Sequence, residues 1–296
     1  MSLDVTKCEI CPNKCGVDRR IATGVCGVNA DIRIARADLH FWEEPIVSGE
    51  KGSGTIFFSG CNLRCVFCQN YEISTLRRGK TVTVDELIVE IKNLEEKGAE
   101  NINFVTPTHY AYAVKEALEK YKPRIPVVYN TSAYESVSTL KELEGLVDVY
   151  LPDFKYYSSV LSKSLSGRSD YAEVALNAIK EMFRQVGEPT VENGLIKKGV
   201  IIRHLVLPGN VEDSVNVLKT VYAEFGEKVW YSIMSQYFPS GRAKEYPPLD
   251  RRLKGVEYKA VVAKAEKMGM NNCFIQETSS AKEEYVPEFF GDYPKK

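Results

Sequence analysis

At 296 residues the chain is long enough for one barrel-sized domain, or for a main domain with a small appendage. Hydrophobic residues at 44% and charged residues at 27% are ordinary for a soluble globular protein. Lys and Arg total 39 against 40 Asp and Glu, a net charge of -1, which leaves no basic footprint for nucleic acid. No apolar run is long enough to span a bilayer and no signal-peptide pattern opens the sequence. The expectation is a cytoplasmic protein with neither a nucleic-acid nor a membrane partner.

Residues 1–53 are read as a small cysteine-rich, metal-binding N-terminal module with a strand-like extension. Cys8, Cys11, Cys15 and Cys26 form a complete ligand set, and clustered cysteines in a cytoplasmic enzyme bind metal more often than they pair. Cys11-Pro12 fits a ferredoxin-type run and the Cys-x2-Cys spacing fits structural zinc, so zinc and a second iron–sulfur cluster both stay open. Four ligands close the shell, which makes the role structural or electron-relaying. A strand is expected over 31–39, then a glycine-rich link over 48–54.

From residue 54 to 296 strand-like and helix-like segments alternate, ending in a C-terminal extension. The strand-like runs are 55–59, 101–105, 126–130, 148–153, 200–207 and 229–234, with a seventh at 273–276. Between the first two, Val84, Leu87, Ile88, Ile91 and Leu94 repeat with helical spacing, and Thr83 with Glu86 makes a capping box. Later helices carry Ala175, Ala178, Ile179, Met182 and Phe183 on one face, then Val211, Val215, Leu218 and Tyr222. Such alternation implies an α/β fold with parallel pairing and right-handed crossovers, either doubly wound or a partial (β/α)6 or larger TIM-like barrel. In both architectures the active site lies at the C-terminal ends of the strands. Cys273 is read as a buried structural thiol. The basic runs 77–80 and 251–254 are read as solvated faces.

The first strand runs directly into Gly60-Cys61-Asn62-Leu63-Arg64-Cys65-Val66-Phe67-Cys68. Three thiols are one short of a closed metal site, and an open position marks a site that does chemistry. An iron–sulfur cluster normally takes four thiolates, so three leave one iron free for something else.

Cys-x3-Cys-x2-Cys, with Gly60 before it and aromatic Phe67 inside it, resembles the signature of the radical S-adenosylmethionine enzymes, closest to pyruvate formate-lyase activating enzymes and their iron–sulfur relatives. The resemblance implies a [4Fe-4S] cluster on Cys61, Cys65 and Cys68, S-adenosylmethionine on the fourth iron, and an oxidoreductase that makes a 5'-deoxyadenosyl radical for hydrogen abstraction. It also implies an electron donor such as flavodoxin or ferredoxin, and a glycyl radical enzyme or other protein as substrate. Thr106-Pro107-Thr108-His109 stands where relatives carry a Gly-Gly-Glu element for the cofactor's amino group, so Thr106, Thr108 or backbone carbonyls are expected to replace it. Asn130 and Ser132 are candidates for the ribose or carboxylate, or else cap the next helix. Asp153 and Lys155 match the family's Asp-x-Lys element and are expected to touch cofactor or substrate, with a bare ion pair as the alternative. Arg203 matches a carboxylate-binding arginine. His204 reads equally as a core histidine, and Gln236-Tyr237 as a closure over the adenine or as packing. The segment 238–248 reads as a connector more readily than as a lid.

Two alternatives stand beside this reading. One keeps the cofactor but modifies a small molecule or another protein residue. The other is a non-catalytic zinc-binding interaction protein, which would need a fourth ligand brought to the three cysteines by the fold.

Overall fold

The computed structural model describes residues 3–276, Pro287 and Phe289; the rest of the expected C-terminal extension lies outside the described residues. Residues 3–31 form neither helix nor strand and are tied by backbone turns, such as Cys8 N–H to Val17 O and Gly16 N–H to Cys8 O, both 2.9 Å.

Strand β1 (Ile32–His40) leads to a one-turn helix α1 (Pro45–Ser48), β2 (Ser53–Phe58), a second one-turn helix α2 (Tyr71–Ser74) and β3 (Lys80–Val82). Next come α3 (Val84–Glu96), β4 (Ile102–Val105), α4 (Ala111–Lys120), β5 (Val127–Thr131), α5 (Val137–Lys141) and β6 (Val149–Pro152). Helices α6 (Ser159–Ser166) and α7 (Tyr171–Val186) precede a hairpin of β7 (Thr190–Glu192) and β8 (Leu195–Leu205). The described chain then runs through α8 (Val211–Phe225), β9 (Trp230–Met234), α9 (Gly255–Met268) and β10 (Cys273–Ile275).

Strands β2, β4, β5, β6, β8, β9 and β10 neighbour one another in chain order and pair in parallel. Each crossover therefore steps the same way, as a right-handed strand–helix–strand unit does. A doubly wound sheet reverses direction at a switch point, and none is present among the described residues. Among these residues the sheet ends on β10 at one side and on β3 at the other, so it is a partial, unclosed barrel.

All seven expected parallel strands form, and the expected 31–39 strand forms as β1, antiparallel on β2 from Ile34 opposite Phe58 to His40 opposite Ser53. Strands β3 and β7 add to these. Strand β3 then pairs with β1. The β7–β8 hairpin turns on Asn193-Gly194, with φ of 51° and 78°. That pair is a two-residue hairpin signal visible in the sequence.

Local chemistry explains the flanking helices. Thr83 accepts from the Glu86 N–H while the Glu86 carboxylate accepts from the Thr83 N–H, so two orphan donors at the start of α3 are satisfied. Helix α7 buries Ala175, Ala178, Ile179 and Met182 against the sheet side, each large side chain contributing roughly 1.5–3 kcal/mol.

Inside the barrel, Val47 of α1 packs with Val128, Val149, Leu151, Ile196 and Ile201. Asn101, just before β4, donates to Val47 O at 2.7 Å, so α1 plugs the N-terminal end of the strands. The lumen is left open toward the opposite end, where the β2 cysteine loop lies.

Candidate active site

Cys61, Cys65 and Cys68 all line one cavity at the C-terminal ends of the strands, together with Thr106, Asn130, Ser132, Asp153, Lys155 and Arg203. Gly60 gives the loop its entry angle: φ is +88°, and a Cβ there would sit 2.9 Å from Val28 Cγ1 and 3.0 Å from Cys26 O. Phe67 packs between Tyr156 and Tyr237, with ring centroids 6.2 and 6.1 Å away.

Each sulfur has a donor directed at it. Tyr156 donates to Cys65 Sγ at 3.3 Å, Ser74 donates to Cys68 Sγ at 3.2 Å, and the Leu63 N–H donates to Cys61 Sγ at 3.4 Å. Burial pushes the Cys65 thiol up to about 12, against the pull of Lys155 and the Tyr156 hydroxyl. Burial raises Cys61 and Cys68 in the same way. Ligation requires thiolates, so the positive charge that stabilises them must come from bound iron as well as from Lys155. Three reduced thiols on one wall, with donors aimed at their sulfurs, fit a cluster with one open iron. Among the described residues no three Cys, His, Asp or Glu side chains stand close enough to hold a single metal ion as they are.

Beneath the loop lies a polar layer. Lys155 Nζ donates to Asp153 Oδ2 at 2.7 Å, and Arg203 Nε donates to Asp153 Oδ1 at 2.7 Å. Burial alone would raise Asp153, but Arg203 and Lys155 hold it below the usual carboxylate range. The Arg203 fork, expected to meet a cofactor carboxylate, is engaged by the protein: Nη1 donates to Glu43 Oε2 and Nη2 to Asn130 Oδ1, both at 2.7 Å. Asn130 in turn donates through Nδ2 to Glu43 Oε1 at 3.0 Å. Arg203 and Asn130 therefore order the wall, because the β1–α1 turn delivers acidic partners that match their donors.

Other expected residues separate. Ser132 lines the cavity with a buried hydroxyl that makes no hydrogen bond. Thr106 also lines it, held at φ +58°, a conformation rare outside glycine that signals a constrained site. Thr108 points away and donates to Glu135, as does Thr131. His109 bonds Ser59 O through Nε2 at 2.8 Å and is not among the residues that line the cavity of the three cysteines. His204 lies behind the wall on Phe154 O at 2.8 Å. Tyr237 does not close over an adenine: it is buried and donates to Leu249 O at 2.6 Å, while Gln236 does reach the cavity. Cys273 is half-buried on β10, not fully buried. The connector 238–248 rests on the cysteine loop through Arg242 N–H to Val66 O at 2.7 Å.

The reading from sequence missed Glu43, Glu44 and Glu135. Glu135 is buried at the Cys11 side of the barrel, where desolvation lifts its pKa to about 7 against donation from Thr108 and Thr131. The only sequence signal for Glu43-Glu44 was the Pro45 that follows them, a first-turn proline.

Of the four N-terminal cysteines, Cys15 and Cys26 flank Gly24, whose Cβ would lie 3.3 Å from Cys15 Sγ and 3.6 Å from Cys26 Sγ. Burial raises Cys11 to about 12, with Cys26, Glu135 and Cys15 adding to the shift, and raises Cys26 with Cys8 and Cys15 adding. Buried Arg19 anchors this coil: it donates to His109 O and Asn29 O and lies over the Tyr110 and Tyr112 rings, 5.4 and 5.8 Å from their centroids.

A strand-end loop with three thiols above a partial parallel barrel defines a class, and comparison with known proteins agrees. The Radical SAM superfamily matches residues 55–221, from β2 through most of α8, and this chain belongs to that family. It is 32% identical over 275 residues to Uncharacterized protein MJ0674 of Methanocaldococcus jannaschii, covering 89% of this chain and 75% of that one. The structure is similar to Streptococcus suis SuiB bound to precursor peptide SuiA, with a TM-score of 0.50, 15% identity, and coverage of 73% of this chain and 46% of that one. It is also similar to methylornithine synthase (PylB), with a TM-score of 0.49, 14% identity, and coverage of 73% and 68%. Membership implies a [4Fe-4S] cluster and S-adenosylmethionine, and the zinc-protein alternative gives way to a radical SAM enzyme. Among the described residues no helix is long and apolar enough to cross a membrane.

Proposed function

We propose that the protein uses S-adenosylmethionine cleavage at the Cys61–Cys65–Cys68 loop to abstract hydrogen from a small substrate held in the barrel lumen. A bound [4Fe-4S] cluster would supply the one electron that breaks the sulfonium C–S bond of S-adenosylmethionine, giving methionine and a 5'-deoxyadenosyl radical. Cys61, Cys65 and Cys68 would hold the cluster, with Tyr156 and Ser74 donating to the sulfurs. Ser132 and Thr106, which line the cavity, would meet the cofactor, while Lys155 and Asp153 would set the charge of the wall between cofactor and lumen. The N-terminal cysteines would hold a second metal group, zinc or iron–sulfur, in a structural or relay role.

The observation that favours a small substrate is the polar layer itself. A glycyl-radical partner would insert a peptide glycine, which brings no charge to a floor carrying Glu43, Glu44 and Asp153. Activation of a glycyl radical enzyme, with flavodoxin or ferredoxin as donor, is the second reading, supported by the three-cysteine loop and the Asp-x-Lys element. Anaerobic reconstitution with iron and sulfide, reduction, and chromatography for 5'-deoxyadenosine test the chemistry. Product lost in Cys61→Ala, Cys65→Ala or Cys68→Ala supports it, and a colourless zinc-loaded protein making none sinks it. A glycyl-radical signal in an added partner would favour the second reading.

A further inference from the structure

We propose that the lumen floor is a binding site for a protonated amine of the substrate, read by Glu44 with Asn103 and Ser232. This deepens the small-substrate reading and rests on it.

Glu44 is buried, yet its Oε2 accepts no hydrogen bond. The nearest cationic atom is Arg203 Nη1 at 3.7 Å, and that nitrogen is committed to Glu43 at 2.7 Å. Two further acceptors are orphaned in the same layer. Asn103 is fully buried; its Nδ2 donates to Glu43 Oε1 at 3.3 Å, and its Oδ1 is without a partner. Ser232 pairs with Arg203 across β8 and β9; its hydroxyl makes no hydrogen bond but stands close to Glu44, whose pKa burial raises in spite of Arg203 and that hydroxyl. Buried polar atoms without partners cost stability, and a group of acceptors lacking donors in one layer needs an explanation.

Charge points the same way. Glu43, Glu44 and Asp153 face Arg203 and Lys155, but Lys155 is held by Asp153 at 2.7 Å, with Cys65 and Cys68 also acting on it. The floor below it carries more acidic than basic side chains. An anion is therefore excluded, and water would supply donors without charge. A hard metal cation takes six or more oxygens and would need several waters beside the acceptors left open here. A protonated primary amine brings one positive charge, three N–H donors and no acceptor, which matches Glu44 Oε2, Asn103 Oδ1 and Ser232 Oγ in number and kind. Glu44 lines the cavity that opens to the cysteine loop, so an alkyl chain rising from the floor presents its C–H bonds toward the cofactor side.

The test is calorimetric titration of the cluster-loaded protein with S-adenosylmethionine present. The probe is 1,5-diaminopentane, with 1,5-pentanediol and sodium chloride of matched ionic strength as controls. The diamine should bind at least about tenfold more tightly than the diol, and Glu44→Gln should remove that preference. Ser232→Ala, a smaller change that does not depend on the behaviour of the first variant, should weaken the diamine about threefold without moving the diol. Equal binding of diamine and diol, or equal stabilisation by sodium chloride, overturns the proposal. So does a Glu44→Gln protein that loses affinity for S-adenosylmethionine but keeps its diamine preference, since the carboxylate would then serve the cofactor. Reductive formation of 5'-deoxyadenosine without added amine is measured on the same samples. Its failure counts against the cofactor chemistry and leaves the titration to decide the amine site.

Discussion

The Cys61 N–H donates to the carbonyl oxygen of Cys26 at 3.2 Å, joining the first thiol of the barrel loop to the last of the N-terminal four. Asn13 Nδ2 adds a second tie, to Asn62 O at 2.8 Å. The N-terminal coil is thereby the backing of the cysteine loop, one main-chain hydrogen bond away from Cys61.

Gly60→Ala tests that backing. The new methyl must meet Cys26 O at 3.0 Å on a backbone with φ +88°. Strain and steric displacement should cost roughly 1–3 kcal/mol and push the loop off the coil. Thermal melts should fall, and iron content with visible cluster absorbance should drop alongside them. Unchanged iron loading would show that the loop does not depend on this contact.

Tyr156→Phe removes the hydroxyl that donates to Cys65 Sγ. Hydrogen bonds to cluster sulfurs favour the reduced, more negative state. The variant should lose about 1 kcal/mol of stability and show a more negative cluster potential by spectroelectrochemistry. A rise in potential would contradict the assigned role.

Arg203→Met leaves Asp153, Glu43 and Glu44 facing one another without their shared cation. Removing one side of a buried ionic network typically costs about 3–5 kcal/mol. Denaturant melts at pH 7 should show that loss. It should shrink as the pH is lowered and the three carboxyls take up protons. A loss independent of pH would assign the effect to packing.

The histidines make the fold acid-sensitive. Burial depresses His40 and His204 to about 4 and His109 to about 3, all below the ordinary 6.5, with His40 and His109 further lowered by arginines. A base whose folded pKa is depressed must remain neutral in the fold, while the unfolded chain takes up a proton below about 6.5. Stability is therefore fully present above that pH and falls as the pH drops toward the folded values. At pH 5 the loss is about 2 kcal/mol for each histidine, at 1.36 kcal/mol per pH unit. His204→Asn, which keeps a donor toward Phe154 O, should reduce the slope of stability against pH between 6.5 and 5. An unaltered slope would place the titration elsewhere.

Much of the fold is legible locally. Period-two runs and helical spacing identify the seven parallel strands and the helices between them, because side-chain burial repeats with the backbone. The Thr83–Glu86 cap and the Asn193-Gly194 turn are equally local, although the latter was passed over. Strand β3 was not legible: three residues with one buried side chain carry no period.

The cysteine loop was decided by sequence alone, since ligand identity and spacing lie within eight residues and directly follow a strand. What surrounds it depends on partners far apart in the chain. Arg203 looked like a free fork until tertiary structure placed Glu43, 160 residues away, on its Nη1. Thr108 and Tyr237 looked available until Glu135 and Leu249 took their hydroxyls. Hydrogen-bond satisfaction of buried polar groups is a property of the assembled interior, which no spacing rule encodes. Sequence thus determined the three-cysteine loop and its place after a strand. Only the packed lumen decided which acidic and polar groups remain unmatched, because their partners come together from distant parts of the chain.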